Sequence, residues 1–147
     1  MTDKFLYVTR KELFYAAVML KIRQLVNIVY DFPADETKFN QELNEAKGSL
    51  GKKKLLTESA RSGVTLDFAL SICAAFCSKP ESCEVVDVGD YHATIYRIQT
   101  LYMLIEQRSE DELAATWFLT RETLDEYIAA KIGETVEKGA EDDGGRA

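Results

Sequence analysis

The sequence contains a single histidine, His92, and no motif that places a serine or cysteine nucleophile beside a base. Histidine is the commonest general acid or base in enzymes, and nucleophilic catalysis needs a base within hydrogen-bond reach of the nucleophile. The Gly-x-Ser-x-Gly pattern of the α/β-hydrolases does not occur either. We therefore predict that the protein is not an enzyme and carries no catalytic residues.

Long apolar runs and a secretory start are also lacking. No run approaches the roughly 18 apolar residues that cross a bilayer. The first residues, Met1-Thr2-Asp3-Lys4, lack the basic start and apolar segment of a signal peptide. Three cysteines, an odd number, are expected to be reduced thiols in such a chain. These observations predict a cytoplasmic protein that needs no cofactor.

Positive charge is in deficit throughout the chain. The 18 basic residues face 25 acidic ones, giving a net charge of −7, and 16 basic and 21 acidic residues remain when residues 137–147 are set aside. A field of this sign repels phosphate, so nucleic acids and anionic membranes are poor partners. We expect one domain over residues 1–136, followed by a disordered acidic tail over residues 137–147.

The cysteines and the histidine raise the alternative of a zinc site. Cys73 and Cys77 lie one helical turn apart, and Cys83 with His92 would complete four ligands. The paired Cys-x-x-Cys spacing of most structural zinc sites does not occur. Since Cys73 and Cys77 stand among apolar neighbours, where a free cysteine acts as a small hydrophobe, buried thiols without metal are the prediction.

Capping signals and apolar spacing predict the helices. Thr9 followed by Glu12 is a capping box that starts a helix over about residues 10–22. Asp35 starts a second helix over about 36–47, which Gly48 and Gly51 end. Residues 65–78 are apolar nearly all round and predict a central buried helix. Thr120 begins a last helix, and Ser109 with Glu112 forms another capping box before Leu113–Phe118.

Alternating apolar residues predict strands in the second half. Two segments, 83–88 and 91–98, flank the turn pair Gly89-Asp90 and predict a β-hairpin. Residues 101–105 fit a strand or a helix, and β-propensity favours the strand. Residues 25–30 remain open between the two. The fold class is therefore α+β, with an antiparallel hairpin or small sheet flanked by about four to five helices.

A winged-helix-like nucleic-acid-binding or regulatory domain is the alternative function, because helix, helix and hairpin follow in that order. It would use Lys52, Lys53 and Lys54 for phosphate contacts. However, the helix that would enter the major groove, residues 65–78, has no arginine, lysine, asparagine or glutamine to bind bases or phosphates.

Aromatic side chains of the predicted strands are the candidate contacts for a protein partner. Tyrosine and tryptophan are enriched at interfaces because they are large and stiff and carry a polar tip. Core packing accounts for some of them, and the rest would lie on an exposed sheet face. The predicted partner-binding residues are Tyr91, Tyr96, Tyr102 and Trp117.

The order of elements resembles a known family over about residues 5–132. The pattern comprises Thr9-Arg10-Lys11-Glu12-Leu13, a helix with Leu43 and Leu50, Lys54-Leu55-Leu56, Gly63-Val64-Thr65-Leu66-Asp67, Leu70, Pro80, alternating strands and Leu124-Asp125-Glu126-Tyr127-Ile128. It resembles one half of the EspG-type chaperones of type VII secretion systems and is similar to smaller proteins encoded with such systems in Gram-positive bacteria.

The resemblance implies a central antiparallel sheet flanked by helices. It also implies a cytosolic chaperone that binds the helical tip of a secreted substrate and keeps it soluble until export. EspG-type proteins carry two related halves and this chain has room for one, so a homodimer is the hypothesis that restores the second half. No binding residue of the family maps onto a position of this sequence.

Overall fold

An antiparallel sheet organises the part of the chain that the structure describes. The computed structural model describes residues 5–31, 33–61 and 63–144, the last ten of them by backbone alone. The strands within these ranges are β1 Leu6–Thr9, β2 Leu56–Ser59, β3 Gly63–Leu66, β4 Ser82–Val88, β5 Tyr91–Ile98, β6 Leu101–Gln107 and β7 Glu112–Phe118. Five of these form the sheet in the order β1-β7-β6-β5-β4, while β2 and β3 form a separate hairpin.

Helices cover both faces of the sheet. The helices within the described ranges are α1 Arg10–Met19, α2 Glu36–Lys52, α3 Phe68–Ser78 and α4 Arg121–Gly144. On one face, α1 and α3 enclose the larger core, and α2 packs on α1. On the other face, α4 contacts β5, β6 and β7 over a smaller core. The α+β class, with an antiparallel sheet flanked by helices, is confirmed.

Strand alternation divides the apolar residues between the two cores. In the pairing of β5 with β6, Tyr96 lies opposite Met103 and Ile95 lies opposite Leu104. The first pair belongs to the core beneath α1 and α3, and the second pair belongs to the core beneath α4. Because successive strand residues point to opposite faces, β5 supplies apolar side chains to both cores.

The capping signals at Thr9 and Thr120 work as predicted. Thr9 Oγ1 accepts a hydrogen bond from the Glu12 amide at 3.1 Å, and Glu12 Oε1 accepts one from the Thr9 amide at 2.8 Å. Thr120 Oγ1 accepts from the Thr123 amide at 3.1 Å, and α4 begins at the next residue. Both satisfy amide groups that have no partner within the first turn of the helix.

The predicted hairpin is present, and residues 101–105 are a strand. β4 and β5 pair along their length around Gly89, whose φ of 57° is in the left-handed region that glycine adopts most readily. Residues 101–105 lie within β6, which pairs with strands on both sides. The β-branched and aromatic composition was therefore the correct guide.

The expectation of a helix at Leu113–Phe118 is wrong, because these residues belong to β7. Ser109 Oγ does accept a hydrogen bond from the Glu112 amide, at 3.2 Å, but the bond closes the turn between β6 and β7. β7 then pairs with β6 on one side and with β1 on the other. Strand pairing on both edges outweighs the local capping preference.

Three further boundaries differ from the prediction. α2 continues through Gly48 and Gly51 to Lys52, because its buried residue Leu50 extends the packing against α1. β2 and β3 form a hairpin between α2 and α3, where no strand was predicted. Residues 25–30 form neither a helix nor a strand.

The last helix is longer than the spacing predicts. α4 runs on to Gly144, so its backbone is helical through residues 137–144 of the segment predicted to be a disordered tail. Residues 145–147 of that segment lie outside the described residues. Among the helices of the described ranges, none has the length and apolar content needed to cross a bilayer.

Candidate protein-binding groove

Tyr96, one of the four predicted partner-binding residues, is buried and cannot contact a partner. Its side chain is 0% exposed, and its hydroxyl donates a hydrogen bond to the Val26 carbonyl at 2.6 Å. Burial and the neighbouring thiol of Cys77 raise the pKa of Tyr96 far above the ordinary tyrosine value, so the hydroxyl stays a donor. The prediction for Tyr96 is wrong because its strand position faces the larger core.

Tyr91 and Tyr102 lie half-buried on the opposite face, beside α4. The Tyr91 hydroxyl donates to Glu106 Oε2 at 2.9 Å, and the Arg121 guanidinium lies 5.9 Å from the centre of the Tyr102 ring. Tyr127 of α4 donates to the other oxygen of Glu106 at 2.8 Å. These contacts attach α4 to the sheet, so the sheet face expected to receive a partner is occupied by the chain's own helix.

Trp117 packs against the larger core, on the face away from Tyr91 and Tyr102. Its Nε1 is buried and has no hydrogen-bond partner among the described residues. The four aromatic residues are therefore divided between two sheet faces and form no single surface. Sequence alternation already contained this signal, because Tyr91 and Tyr96 are an odd number of positions apart on one strand.

The described residues do not assemble the alternative zinc site. Cys73 and Cys77 lie on the buried face of α3, whereas Cys83 is exposed on β4. His92 instead lies 2.7 Å from Asp87 through its Nδ1. In the described part of the chain, no group of three or more His, Cys, Asp and Glu side chains is placed to hold a metal ion. Burial raises the pKa of the Cys77 thiol, which disfavours the thiolate that binds metal or attacks electrophiles.

The lysine run proposed for phosphate contacts is partly engaged within the protein. Lys53 Nζ lies 2.6 Å from Glu12 Oε1, whose carboxylate is only 2% exposed. Ser49 donates to the second oxygen of the same carboxylate. Burial alone would raise the pKa of Glu12, but the bonds from Lys53, Ser49 and Thr9 together lower it. This network connects the start of α1 with the end of α2.

A groove lies between α3 and the loop after α1, on the surface of the helical layer. It encloses about 630 Å³, and apolar atoms provide most of its lining. We call it the basic groove. Its lining residues are Lys21, Ile22, Arg23, Gln24, Ala75, Ser78 and Lys79.

The groove exists because α3 buries only one of its faces. Leu70, Cys73, Ala74 and Cys77 face the core. The opposite stripe of Phe68, Ala75 and Lys79 is exposed, whereas Ile72 packs against the core. The prediction of a central buried helix is confirmed for the core face, but the helix begins at Phe68, and this residue is 79% exposed.

Further exposed apolar side chains stand next to the groove residues in the sequence. Val18, Met19 and Leu20 end α1 immediately before the loop, and each is at least 40% exposed. Scattered exposed apolar residues are ordinary in soluble proteins. These three residues directly precede Lys21 and Ile22 of the groove lining, and exposed apolar side chains clustered beside a groove are typical of interaction sites.

The charge of the groove is opposite to that of the whole protein. Lys21, Arg23 and Lys79 line it, and no carboxylate does. None of the three forms an ion pair with another residue that the structure describes. On a chain of net charge −7, this is a local positive site with unpaired cations.

Hydrogen bonds hold the loop that forms one wall of the groove. The Ile22 amide donates to the Ala17 carbonyl at 2.8 Å, and the Val26 amide donates to the Cys77 carbonyl at 2.7 Å. Buried Leu25 fixes the chain between these two points. Tyr30 donates to Glu42 of α2, and burial together with that carboxylate raises the pKa of Tyr30 to about 12. The wall is thus formed before any partner binds.

Comparison with known proteins adds no family to this description. Neither the family models nor the curated proteins that were searched give a match to this chain. The functional argument therefore depends on the geometry and charge of the groove.

Proposed function

We propose that this protein is a protein-binding adaptor or chaperone that holds an acidic amphipathic helix of its partner in the basic groove. The observation that supports the proposal most directly is the coincidence of an open apolar floor with unpaired Lys21, Arg23 and Lys79. An amphipathic helix docks its apolar face into such a groove, and its charged flanks then meet the rim.

In this proposal, the apolar side chains of the basic groove supply the binding affinity. Ile22 and Ala75 line the floor, and exposed Phe68 lies on the same face of α3 as Ala75. Because Ala75 is small and exposed, a partner side chain can approach the backbone of α3 at this point. Apolar anchors in a groove commonly dominate binding energy, while the surrounding contacts exclude water.

The charged side chains of the basic groove supply selectivity for an acidic partner. Three cations without carboxylate partners attract acidic side chains and speed the encounter with them. The same surface would repel a basic helix. A phosphate-bearing partner is disfavoured by the net charge of −7, which opposes long-range attraction to nucleic acid or an anionic membrane.

The resemblance to EspG-type proteins supports a chaperone that binds a helix of its partner. Those proteins are cytosolic chaperones that bind the helical tip of a secreted substrate, and a helix is the partner element that the basic groove would accept. We propose the same cytosolic role here, with the binding surface on the helical layer instead of the sheet. A homodimer remains the hypothesis for the second half of that architecture.

Binding of labelled peptides tests the proposal directly. An 18-residue acidic amphipathic helix, its scrambled sequence and a basic version of it are titrated against the protein by fluorescence anisotropy. We expect the acidic helix to bind at least about tenfold more tightly than either of the others, with affinity falling as salt screens the rim charges.

A pair of matched variants locates the site. Ala75→Glu places a charged side chain on the groove floor and should weaken binding of the acidic peptide by about tenfold or more. Ala130→Glu makes the same change at an exposed alanine of α4 and should leave binding unchanged. Equal binding of acidic and basic peptides, or no effect of Ala75→Glu, would refute the proposal. Stronger association with anionic vesicles than with the acidic peptide would reassign the groove to lipid.

A further inference from the structure

One segment of the chain itself has the character that the basic groove would accept. Residues 134–143, near the end of α4, contain five carboxylates and one lysine. We call these residues the acidic segment. Their backbone is helical, because α4 runs on to Gly144. The chain therefore carries an acidic helix of its own as well as a groove with unpaired cations.

The acidic segment also has the spacing of an amphipathic helix. Ile132 packs against the smaller core, and Val136 and Ala140 follow it at four-residue intervals. Residues four apart share one side of a helix. Glu137 and Glu141, also four apart, fall on a different side of the same turns. Apolar and acidic positions are thus separated along the segment.

The acidic segment of one chain cannot enter the groove of the same chain. α4 packs on one face of the sheet, whereas α3 and the loop that line the groove lie on the other face. A continuous helix rises about 1.5 Å per residue along a nearly straight axis and does not turn round the edge of a sheet. The occupant must therefore come from a second copy.

The charges of the two elements are complementary. Lys21, Arg23 and Lys79 line the groove without an ion pair to any residue that the structure describes. The acidic segment offers five carboxylates against one lysine. Opposite charges at a contact favour the correct encounter and fix its orientation. In a dimer with a two-fold axis the same contact forms twice.

We propose that the acidic segment of one copy lies in the basic groove of a second copy, and that the reverse contact forms at the same time. This inference rests on the proposed function, in which the groove accepts an acidic amphipathic helix. The symmetric dimer keeps both grooves covered until a partner helix displaces the acidic segments. Partner binding and dimer formation therefore compete.

Charge reversal in the full-length chain tests the contact from both sides. One variant combines Glu137→Lys with Glu141→Lys in the acidic segment, and the other combines Arg23→Glu with Lys79→Glu in the groove. Sedimentation velocity should show a dimer for the wild type, weakened by salt, and a monomer for either variant alone. An equimolar mixture of the two variants should form a dimer again, because each groove then meets a segment of opposite charge. Variants that had failed to fold would not restore it.

A matched control separates this contact from a general effect of charge. Glu122 and Glu126 are exposed and also lie four positions apart on α4. Glu122→Lys combined with Glu126→Lys changes the net charge equally and should leave the dimer intact. A wild type that is monomeric over the whole concentration series would overturn the proposal. So would a dimer that survives both charge reversals, or a mixture of the two variants that stays monomeric.

Peptide binding distinguishes failure of this inference from failure of the proposed function. The acidic-segment variant should bind the acidic peptide about tenfold more tightly than the wild type, the gain expected when about one wild-type groove in ten is free. Tight binding by a monomeric wild type would overturn the dimer contact and leave the proposed function standing. A dimer with the expected charge dependence that binds no peptide would support the contact and overturn the adaptor function.

Discussion

The network around Glu12 allows a quantitative prediction for Lys53→Met. The change keeps an apolar stem of similar length but removes the ammonium group that lies 2.6 Å from a carboxylate only 2% exposed. A buried charge that loses its partner costs about 3–5 kcal/mol in fully buried pairs. Here Ser49 and Thr9 still bond to the carboxylate, and Lys53 is itself one-third exposed, so we expect a loss of about 2 kcal/mol at pH 7.

The matched control is Lys52→Met, at an exposed neighbouring position in the last turn of α2. Surface substitutions of this kind usually change stability by less than about 0.5 kcal/mol. Urea denaturation, followed by circular dichroism, measures the free energy of unfolding of the wild-type protein and of both variants. Equal stability of Lys53→Met and Lys52→Met would refute the claim that the Lys53 contact with Glu12 stabilises the fold.

The pH dependence provides a second and sharper measurement of the same contact. The pKa of Glu12 is lowered in the folded protein, so its carboxylate stabilises the fold above the unfolded pKa, and that contribution is lost as pH falls through the folded pKa. In Lys53→Met, burial of the Glu12 carboxylate is offset by fewer hydrogen bonds, so the pKa of Glu12 should rise. The stability difference between wild type and Lys53→Met should therefore be largest near pH 7 and shrink toward pH 4. A difference that stays constant over this range would contradict the electrostatic cause.

Two further substitutions test buried polar groups. Tyr96→Phe removes the hydroxyl that bonds to the Val26 carbonyl and should lower the free energy of unfolding by about 1–2 kcal/mol. The control is Tyr102→Phe, because no bond from the Tyr102 hydroxyl to a described residue is observed. This control should change the free energy of unfolding by less than about 0.5 kcal/mol. A smaller loss in Tyr96→Phe than in Tyr102→Phe would contradict the interior role of Tyr96. Thr116→Val replaces a buried hydroxyl that has no partner among the described residues and should stabilise the protein by about 1 kcal/mol in the same urea experiments. Destabilisation by Thr116→Val would indicate that its hydroxyl is satisfied.

Local signals predicted the start of an element more reliably than its type. Thr9 with Glu12 and Ser109 with Glu112 have the same spacing, and in both pairs the hydroxyl accepts the later amide. One pair begins α1, and the other closes a turn before β7. The difference arises from strand pairing on both edges of β7, which no local pattern encodes. Short apolar β1 could not be recognised for the same reason, since its pairing partner is about 100 residues away.

The candidate sites were harder to predict than the fold. The composition of α3 suggested burial on every side, but burial of a helix depends on how many neighbours the topology provides, and α3 is covered by the core on one face only. The pattern of residues 25–30 is open between helix and strand, and the spacing before it predicts a first helix up to about residue 22, yet residues 21–24 belong to a loop that supplies one wall of the basic groove.

Cys77 and Tyr96, which the sequence raised as candidates for metal binding and partner binding, instead hold a surface loop in place through hydrogen bonds. Both backbone polar groups of Val26 are bound from the interior: the amide donates to the Cys77 carbonyl, and the carbonyl accepts from the Tyr96 hydroxyl. These two bonds attach the loop to α3 and β5, and Arg23, three residues before Val26, lines the basic groove. A Tyr96 side chain that contacted a partner would have to break its bond to the Val26 carbonyl. The interior of α3 and β5 thus fixes a surface loop, and in the proposed function recognition depends on the cations and apolar side chains that this loop positions.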